Sequence, residues 1–580
     1  MTKYKILIHD RNYSTFSFVD DDTNEDILPT DENHIMKIDP ITNKLFTKDV
    51  LIYDTENERI ETTFSHVRTG IIIAGILLLE NNKTFGRSKN KKRLLYKCIP
   101  DDKHLPVFLV PYEIQMKFSK VQKNKHVLFH FDNWEDRHPH GILIETLGDV
   151  GNVEVFYEYQ LHCKSLHVSL NDFTNRTREQ LQKKSQEEFI DQILKNPNYH
   201  IEDRRYIENI FTIDPVNSTD FDDAFSIQYI EESNQYKVSI YIANVYFWLE
   251  TLGLWKSFSS RVSTIYLPDR RRPMLPTVLS DNLCSLQEKE DRFAFCMDIV
   301  LDASLKIQTI QYKNVIIQVN RNYRYEEPEL IYKMPDYSML LDITTRLDGS
   351  VTDSHDVVSY WMIKMNIECG KYMATRNIGI FRLVQYIHND FQKGIGHLEE
   401  NTQRVIKGWS NTVGQYIVYN GTTLEHELMK TKNYVHITSP IRRLVDLLNQ
   451  IWISKSLNLI EQVSGDSDRF FNDWIYRMDY INISMRSIRK IQTDCELLNR
   501  CYRDADIMQQ VYDGILFDKV KKNDGSIVFM VYLEKLKLLS RLKTYTEFDN
   551  YTSHFFRIFI FEDEYKVQKK IRVQIILENK

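Results

Sequence analysis

The chain has 580 residues and a mass of 69.2 kDa, which at roughly 150 residues per domain leaves room for about four domains and excludes a single small binding module. With 42% apolar and 27% charged residues it has the composition of a soluble globular protein that buries several cores, not of a disordered one. Lys+Arg 75 against Asp+Glu 81 give a net charge of -6, so a nucleic-acid partner would be held by local basic patches and not by a global field.

The opening MTKYKILIHDRN lacks the positive-then-apolar pattern of a secretion signal. Up to residue 165 the chain is a series of short β-rich runs cut by polar turns: KYKILIH, STFSFVD, KDVLIYD, TGIIIAGILLLE, PVFLVPYEI, HVLFHFDNW, GILIETLG and VEVFYEYQL. Strands of this length predict two small barrels, over residues 1–66 and 67–165. The apolar run Ile71–Leu79 is nine residues, far short of the ~20 that span a membrane, so it reads as a buried strand and no membrane partner is expected. Between these strands, GRSKNKKRLLYK (Arg87, Lys89, Lys91, Lys92, Arg93, Lys97) is the densest basic run, either a solvated hairpin or a contact for an RNA backbone.

From residue 166 the sequence turns helical and charged, and TREQLQKKSQEEFIDQILK predicts a linker helix leading into a larger domain that runs to residue 503. That domain mixes strands (YKVSIYIANVYFWL, RFAFCMDIVLD) with helices (HDVVSYWMIKMNIECGKYMA, SPIRRLVDLLNQIWISKSL) whose apolar residues recur at three and four. In the second helix Ser439 and Pro440 read as N-cap and N1, which would turn unpaired backbone N–H groups toward a phosphate. Residues 504–580 return to short strands (GILFDKV, SIVFMVYL, FFRIFIFED, IRVQIIL) and predict a third small barrel. The fold class expected is α+β and multidomain. Seven scattered cysteines with no CxxC pair indicate reduced thiols in an intracellular protein, not cysteine-ligated zinc.

Chemistry concentrates in IFTIDPVNSTDFDDAFSI, which packs Asp214, Asp220, Asp222 and Asp223 into ten residues. Like charges so close raise one another's pKa values unless cations neutralise them. Hard carboxylate oxygens favour Mg²⁺, with Mn²⁺ as the alternative, and two such ions can flank a phosphodiester. An acidic surface turn is the plainer alternative. An EF-hand loop is excluded, because counting from Asp214 its sixth position is Thr219 and its twelfth Ser226, where Gly and Glu are required.

Further blocks follow in order: RVSTIYLPDRRRPMLPTVLSDNLCSLQEKEDRFAFC at 261–296, NRNYRYEEPE at 320–329, WMIKMNIECGKYMA at 361–374 and YVHITSPIRRLVDLLNQ at 434–450. Together with the aspartate run they resemble the signature of the RNase II (RNB) family of 3′-to-5′ exoribonucleases. HVLFHFDNWEDRHPHGILIETLGDVGNVEVFYEYQL (126–161) is similar to the second cold-shock barrel of that family's eukaryotic, exosome-type branch. The resemblance implies cold-shock OB-fold domains at 1–66 and 67–165, an RNB catalytic domain at 166–503 with its leading linker helix, and a C-terminal OB-fold at 504–580. The family's amino-terminal endonuclease (PIN) domain has no room here, so exosome docking is not expected. A monomer in the cytoplasm is, with the nucleus left open.

By the same resemblance Asp214, Asp220, Asp222 and Asp223 match the four metal-site aspartates, with Asp222 indispensable for hydrolysis. Arg442 matches the catalytic arginine, where a guanidinium can hold phosphate oxygens as charge develops. Tyr266 and Tyr325 match aromatic positions beside the 3′-terminal nucleotides, and Phe381 is a further candidate for that clamp. Arg443 and Gln492 are candidate RNA contacts, Gln492 lying near a family active-site position. Asn366 and Arg292 fall in matched blocks that core packing explains equally well, and Asp281 is a candidate hydrogen-bond partner behind the site. Two departures stand out: the family's HIADV strand is YIANV, with Tyr241 and Asn244, and the segment after Phe381 lacks RxHxxP. The implied function is processive 3′-to-5′ hydrolysis of single-stranded RNA to nucleoside 5′-monophosphates. A catalytically silent RNA-binding protein on the same scaffold is one rival, and an endonuclease or DNA-directed nuclease is another.

Overall fold

The alternating N-terminal runs pair as antiparallel hairpins in the computed structural model, which describes residues 3–27, 38–54, 59–80, 83–88, 93–114, 122–206, 209–383, 394–399, 401–403, 405–406, 414–421, 425–426, 431–522, 525–563 and 568–576. Strands Lys3–Ile8, Phe16–Asp20, Val50–Asp54 and Arg59–Phe64 form a four-stranded sheet with Lys3–Ile8 between Phe16–Asp20 and Val50–Asp54. Five more, Ile73–Leu77, Leu94–Pro100, Phe108–Tyr112, Lys125–Asn133 and His140–Asp149, close into a barrel. The long apolar run supplies the first of these, and its continuity has a physical reason. Ile73 and Leu77 face the barrel core with Phe108 and Phe129, while Ala74 and Ile76 pack outward on Tyr159.

Tyr159 belongs to a helix, Val153–Cys163, where VEVFYEYQL predicts a strand. The Asn152 side chain caps it, its oxygen accepting from the N–H groups of Glu154 and Val155 at 2.9 and 3.3 Å. This helix is buried on two sides: Tyr159 lies against the barrel, Tyr157 and Leu161 against the central domain. Its buried residues therefore fall at alternate positions and imitate the period of a strand. The single predicted linker helix is two, Asn171–Leu181 and Gln186–Leu194, the second opened by a reciprocal capping box between Ser185 and Glu188.

The central domain is built on a seven-stranded sheet in the spatial order Ile201–Asp203, Ile307–Gln318, Asp291–Leu301, Gln235–Ala243, Asp223–Ile230, Phe211–Asp214, Arg321–Arg324. Both faces are covered. Val238, Ile240 and Ile242 pack with helices Pro335–Leu347 and Ser354–Thr375, and Tyr241 and Ala243 with helix Leu444–Ser456. In helix Ser354–Thr375, Gly370 permits a close approach, since a Cβ there would lie 1.8 Å from the Asn433 carbonyl oxygen.

The helix expected to start at Ser439 and Pro440 begins instead at Leu444, with Arg443 at the N-cap position and no side-chain cap bond. The reason lies in Ser439, whose N–H donates to Asp446 at 2.8 Å and whose hydroxyl accepts from Arg442 and Arg443 at 3.0 and 3.1 Å. Those bonds fix 439–443 as a turn. Helix Met478–Arg503 then leads to the C-terminal strands Tyr512–Lys521, Ile527–Leu533, Leu538–Thr544, Ser553–Asp563 and Gln568–Ile575, one antiparallel sheet around Leu516, Phe529, Val531 and Phe556. The molecule is thus multidomain α+β, with small β units flanking a mixed centre. No described helix is long and apolar enough to cross a membrane.

Candidate active site

Strand Phe211–Asp214 ends on Asp214, and the chain returns into its antiparallel neighbour at Asp223, so both ends of one loop carry carboxylates. Ser285 pins that loop: its hydroxyl accepts from the Phe221 N–H and donates to the Thr219 carbonyl, both at 2.9 Å. As a result Asp214, Asp220, Asp222 and Asp223 line one cleft of about 760 Å³, together with Tyr266, Tyr325, Arg271, Arg442 and Arg443.

Asp222, only 3% exposed, accepts from the Ile441 N–H at 3.0 Å and from Arg442 Nε at 2.9 Å. Burial pushes its carboxyl up to about 7 although the Arg442 charge pulls it down. Asp223 is pushed up to about 6 by burial against the same arginine. Asp214 lies well above the usual carboxylate range through burial and the neighbouring Asp223 charge, and its Oδ2 is buried without a hydrogen-bond partner among the described residues. Hard oxygens short of positive charge, one of them orphaned, fit a divalent cation such as Mg²⁺. Asp220 differs, because Arg271 forms an ion pair with it at 2.7 Å and holds Asp281 as well. Sequence reasoning passed over both Arg271 and Ser285. The run of three arginines inside YLPDRRRPMLP was the available signal for the first.

Arg442 keeps 45% of its side chain exposed, and its Nη2 donates to the Ser439 hydroxyl at 3.0 Å. Its carbonyl accepts from the Thr264 N–H and the Ser263 hydroxyl, each at 2.9 Å, which ties the segment leading to Tyr266 onto the turn carrying Arg442. Tyr266 is 43% exposed, its hydroxyl 3.5 Å from Asp220 Oδ2 and pushed up to about 12 by burial. Tyr325 donates its N–H to the Asp214 carbonyl at 3.1 Å and stacks one ring face on His355 at 3.6 Å.

The remaining candidates divide. Arg443 reaches the cleft but is ion-paired with Asp446 at 2.8 Å. Gln492 stands behind the site, accepting the Tyr266 N–H at 3.1 Å, and does not line the cleft. Phe381 must be corrected: it is fully buried in strand Ile380–Leu383, 5.0 Å from the Tyr419 ring, and is a core residue, not a surface for a base. Asn366 bridges Tyr434 and the Ile437 N–H at 3.1 and 3.0 Å, and Arg292 Nε donates to the Ser285 carbonyl at 2.8 Å, so both support the loops that frame the cleft. Of the departures, Tyr241 shares a hydrogen bond with Ser226 at 3.0 Å and Asn244 donates to Asn314 at 3.2 Å, both away from the carboxylates. In the basic run Lys89, Lys91 and Lys92 lie outside the described residues, Lys97 sits over the Phe85 ring at 4.9 Å and Arg93 is 3.9 Å from Glu113.

Comparison with known proteins agrees with this architecture. Residues 203–338 and 330–458 match the RNB domain family, and residues 95–159 match the Dis3-like cold-shock domain 2 (CSD2). The chain is 28% identical over 264 residues to the exosome complex exonuclease RRP44 of Homo sapiens, covering 45% of this chain and 26% of that protein. It is 26% identical over 342 residues to ribonuclease R of Aquifex aeolicus, covering 45% of this chain and 47% of that one. The match therefore spans about a quarter of the first relative and about half of the second. Among solved structures, Mycoplasma genitalium RNase R in complex with ribose methylated single-stranded RNA superposes with a TM-score of 0.69 at 15% identity, covering 99% of this chain and 100% of that chain. Yeast Ssd1, a pseudonuclease, superposes with a TM-score of 0.58 at 14% identity, covering 93% and 78%.

Proposed function

Because this chain carries an RNB domain and a Dis3-like second cold-shock domain, we propose that it is a hydrolytic exoribonuclease, one that takes single-stranded RNA by its 3′ end and releases nucleoside 5′-monophosphates. The observation that carries this reading is the shared cleft, where four carboxylates, the Arg442 guanidinium and the Tyr266 and Tyr325 rings meet. Asp214 and Asp223 are the residues that would hold a divalent cation, with Asp222 completing the set. Such an ion, when bound, stabilises charge on a phosphodiester and lowers the pKa of water. Arg442 has its Nε committed to Asp222 and its Nη2 to the Ser439 hydroxyl, with 45% of its side chain still exposed, so it orients phosphate oxygens from a fixed platform. Tyr266 offers an exposed ring on which a base of any identity can stack.

The test is mononucleotide release from labelled single-stranded RNA in Mg²⁺, with Asp222→Asn as control. Steady production of 5′-mononucleotides by the native chain alone supports the reading; fragments of mixed internal length exclude it. One observation favours a second reading, an RNA-binding protein without turnover: Asp220 and Asp222 already hold arginines as counter-ions. That protein would retard the RNA in a gel and release nothing.

A further inference from the structure

We propose a second metal site, distinct from the cleft, in which Glu158, His162 and His167 bind a divalent transition ion of the Zn²⁺ class. These three side chains bring one ligand atom each to within 4.8 Å of one another. Glu158 and His162 are four residues apart on helix Val153–Cys163 and so share one of its faces. His167 returns to that face because the chain reverses beyond the helix through Ser165, whose φ is 54°, with the Leu166 and His167 N–H groups both donating to the Leu161 carbonyl, at 2.8 and 3.2 Å. His167 Nε2 then lies 3.4 Å from Glu158 Oε1, and the two imidazoles stand face to face at 4.0 Å with 20° between their planes.

Two imidazole nitrogens and one carboxylate oxygen are a borderline donor set, suited to Zn²⁺, Co²⁺ or Ni²⁺ and poorly suited to Mg²⁺, the reverse of the all-carboxylate cleft. The stacked rings do not yet direct both lone pairs at one point. Convergence requires His167, whose side chain is 44% exposed, to rotate out of that stack. Glu158 is already oriented, since its Oε2 takes Arg272 at 2.9 Å and Arg270 at 3.6 Å while Oε1 faces His167. Glu158 and His167 also border a cavity of about 290 Å³ with room for water as a further ligand; because Arg261, Arg270 and Arg272 line it too, the ion has to be held against three nearby cations.

This site does not depend on the exoribonuclease reading, and its test reads no turnover. The full chain in excess Mg²⁺, added to compete for the carboxylate cleft, is titrated with Co²⁺ and followed by visible absorption. One equivalent with d–d bands, displaced by Zn²⁺ and weakened by at least ~10–100-fold in His162→Gln and in His167→Gln, is the expected result. No bands above the Mg²⁺ background overturn the proposal. Bands that survive both histidine substitutions and vanish in Asp214→Asn overturn it too, since they place the ion in the cleft. Should either histidine variant fail to fold, X-ray absorption of the Co²⁺-loaded native chain decides: two imidazoles in the ligand shell support the site, and a shell of oxygen alone overturns it.

Discussion

Asp222 and Arg442 lie 220 positions apart in the chain and 2.9 Å apart in space, and that contact sets the chemistry of the cleft. Asp222→Asn keeps the size of the side chain and an oxygen for the Ile441 N–H but removes the charge. Turnover of single-stranded RNA is expected to fall at least ~100-fold while gel-shift affinity stays nearly unchanged, a loss confined to steps in which charge develops. Tyr266→Ala should do the opposite, costing about 1–3 kcal/mol of RNA affinity, read by titration on unlabelled substrate analogues, whatever the sequence of the strand. Which residues were legible follows from how local their signals are. The aspartates and TSPIRR announce themselves because each set is written within one short stretch of the chain. Phe381 did not, since its burial depends on pairing of its strand with Gln415–Val418 and on a bridge to Val435, contacts no local pattern encodes. Arg271 was hidden in the same way, because its partners come from two separate segments, Asp220 from the loop before Asp223 and Asp281 from the helical turn Leu279–Leu283.

Individual elements carry charges that make the fold sensitive to acid. On strand Asp291–Leu301 the Asp298 carboxylate, against the pull of burial, is held down to about 2 by the Arg204 guanidinium and the Ser239 hydroxyl. Its stabilising contribution is therefore complete above the unfolded pKa near 4 and drains away as pH falls toward 2. Arg204→Met strands that carboxylate in the sheet, and urea unfolding at neutral pH should show a loss of about 3–5 kcal/mol. His126, on barrel strand Lys125–Asn133, behaves with the base's sign. It is fully buried with neither ring nitrogen hydrogen-bonded among the described residues, stacks on Tyr159 at 3.9 Å, and burial pushes it down to about 4 although the Asp101 charge opposes this. Stability from keeping this ring neutral is intact above pH 6.5 and lost between there and 4, about 3 kcal/mol in all. Melting curves of His126→Phe should lack that portion of the acid dependence, and identical curves would remove the basis for it. The helix that carries Tyr159 is also where sequence reading failed. Burial on two flanks puts apolar residues at Val153, Val155, Tyr157, Tyr159 and Leu161, and that alternation spells a strand although Glu154, Glu158 and His162 share one face of the helix.

At the scale of the whole molecule, a net charge of -6 means that no general field would draw RNA in, and on the proposed reading the electrostatic share of affinity falls to local cations such as those at the cleft. Binding of a short single strand should weaken with salt, and Arg442→Gln should reduce the slope of log affinity against log salt by about 0.7, the share of one phosphate. An unchanged slope would show that this guanidinium touches no phosphate in the complex. The strands of the flanking β units were readable from their short alternating runs and turns, whereas the way the units lean on one another was not. Helix Val153–Cys163 shows why: its contacts to barrel and centre use side chains that look alike in sequence.

One consequence follows from the stitching of the Ser263–Thr264 segment onto the Arg442 carbonyl. On the proposed reading, a ring that would grip a base and a cation that would grip a phosphate are thereby mounted on the same jig, so neither would travel without the other. A polymer drawn through such a gauge advances by its own repeat and not by any stroke of the protein. The size of each bite is then a property of the nucleotide, and a substitution that loosens the stitching should blur the product length before it slows the cutting.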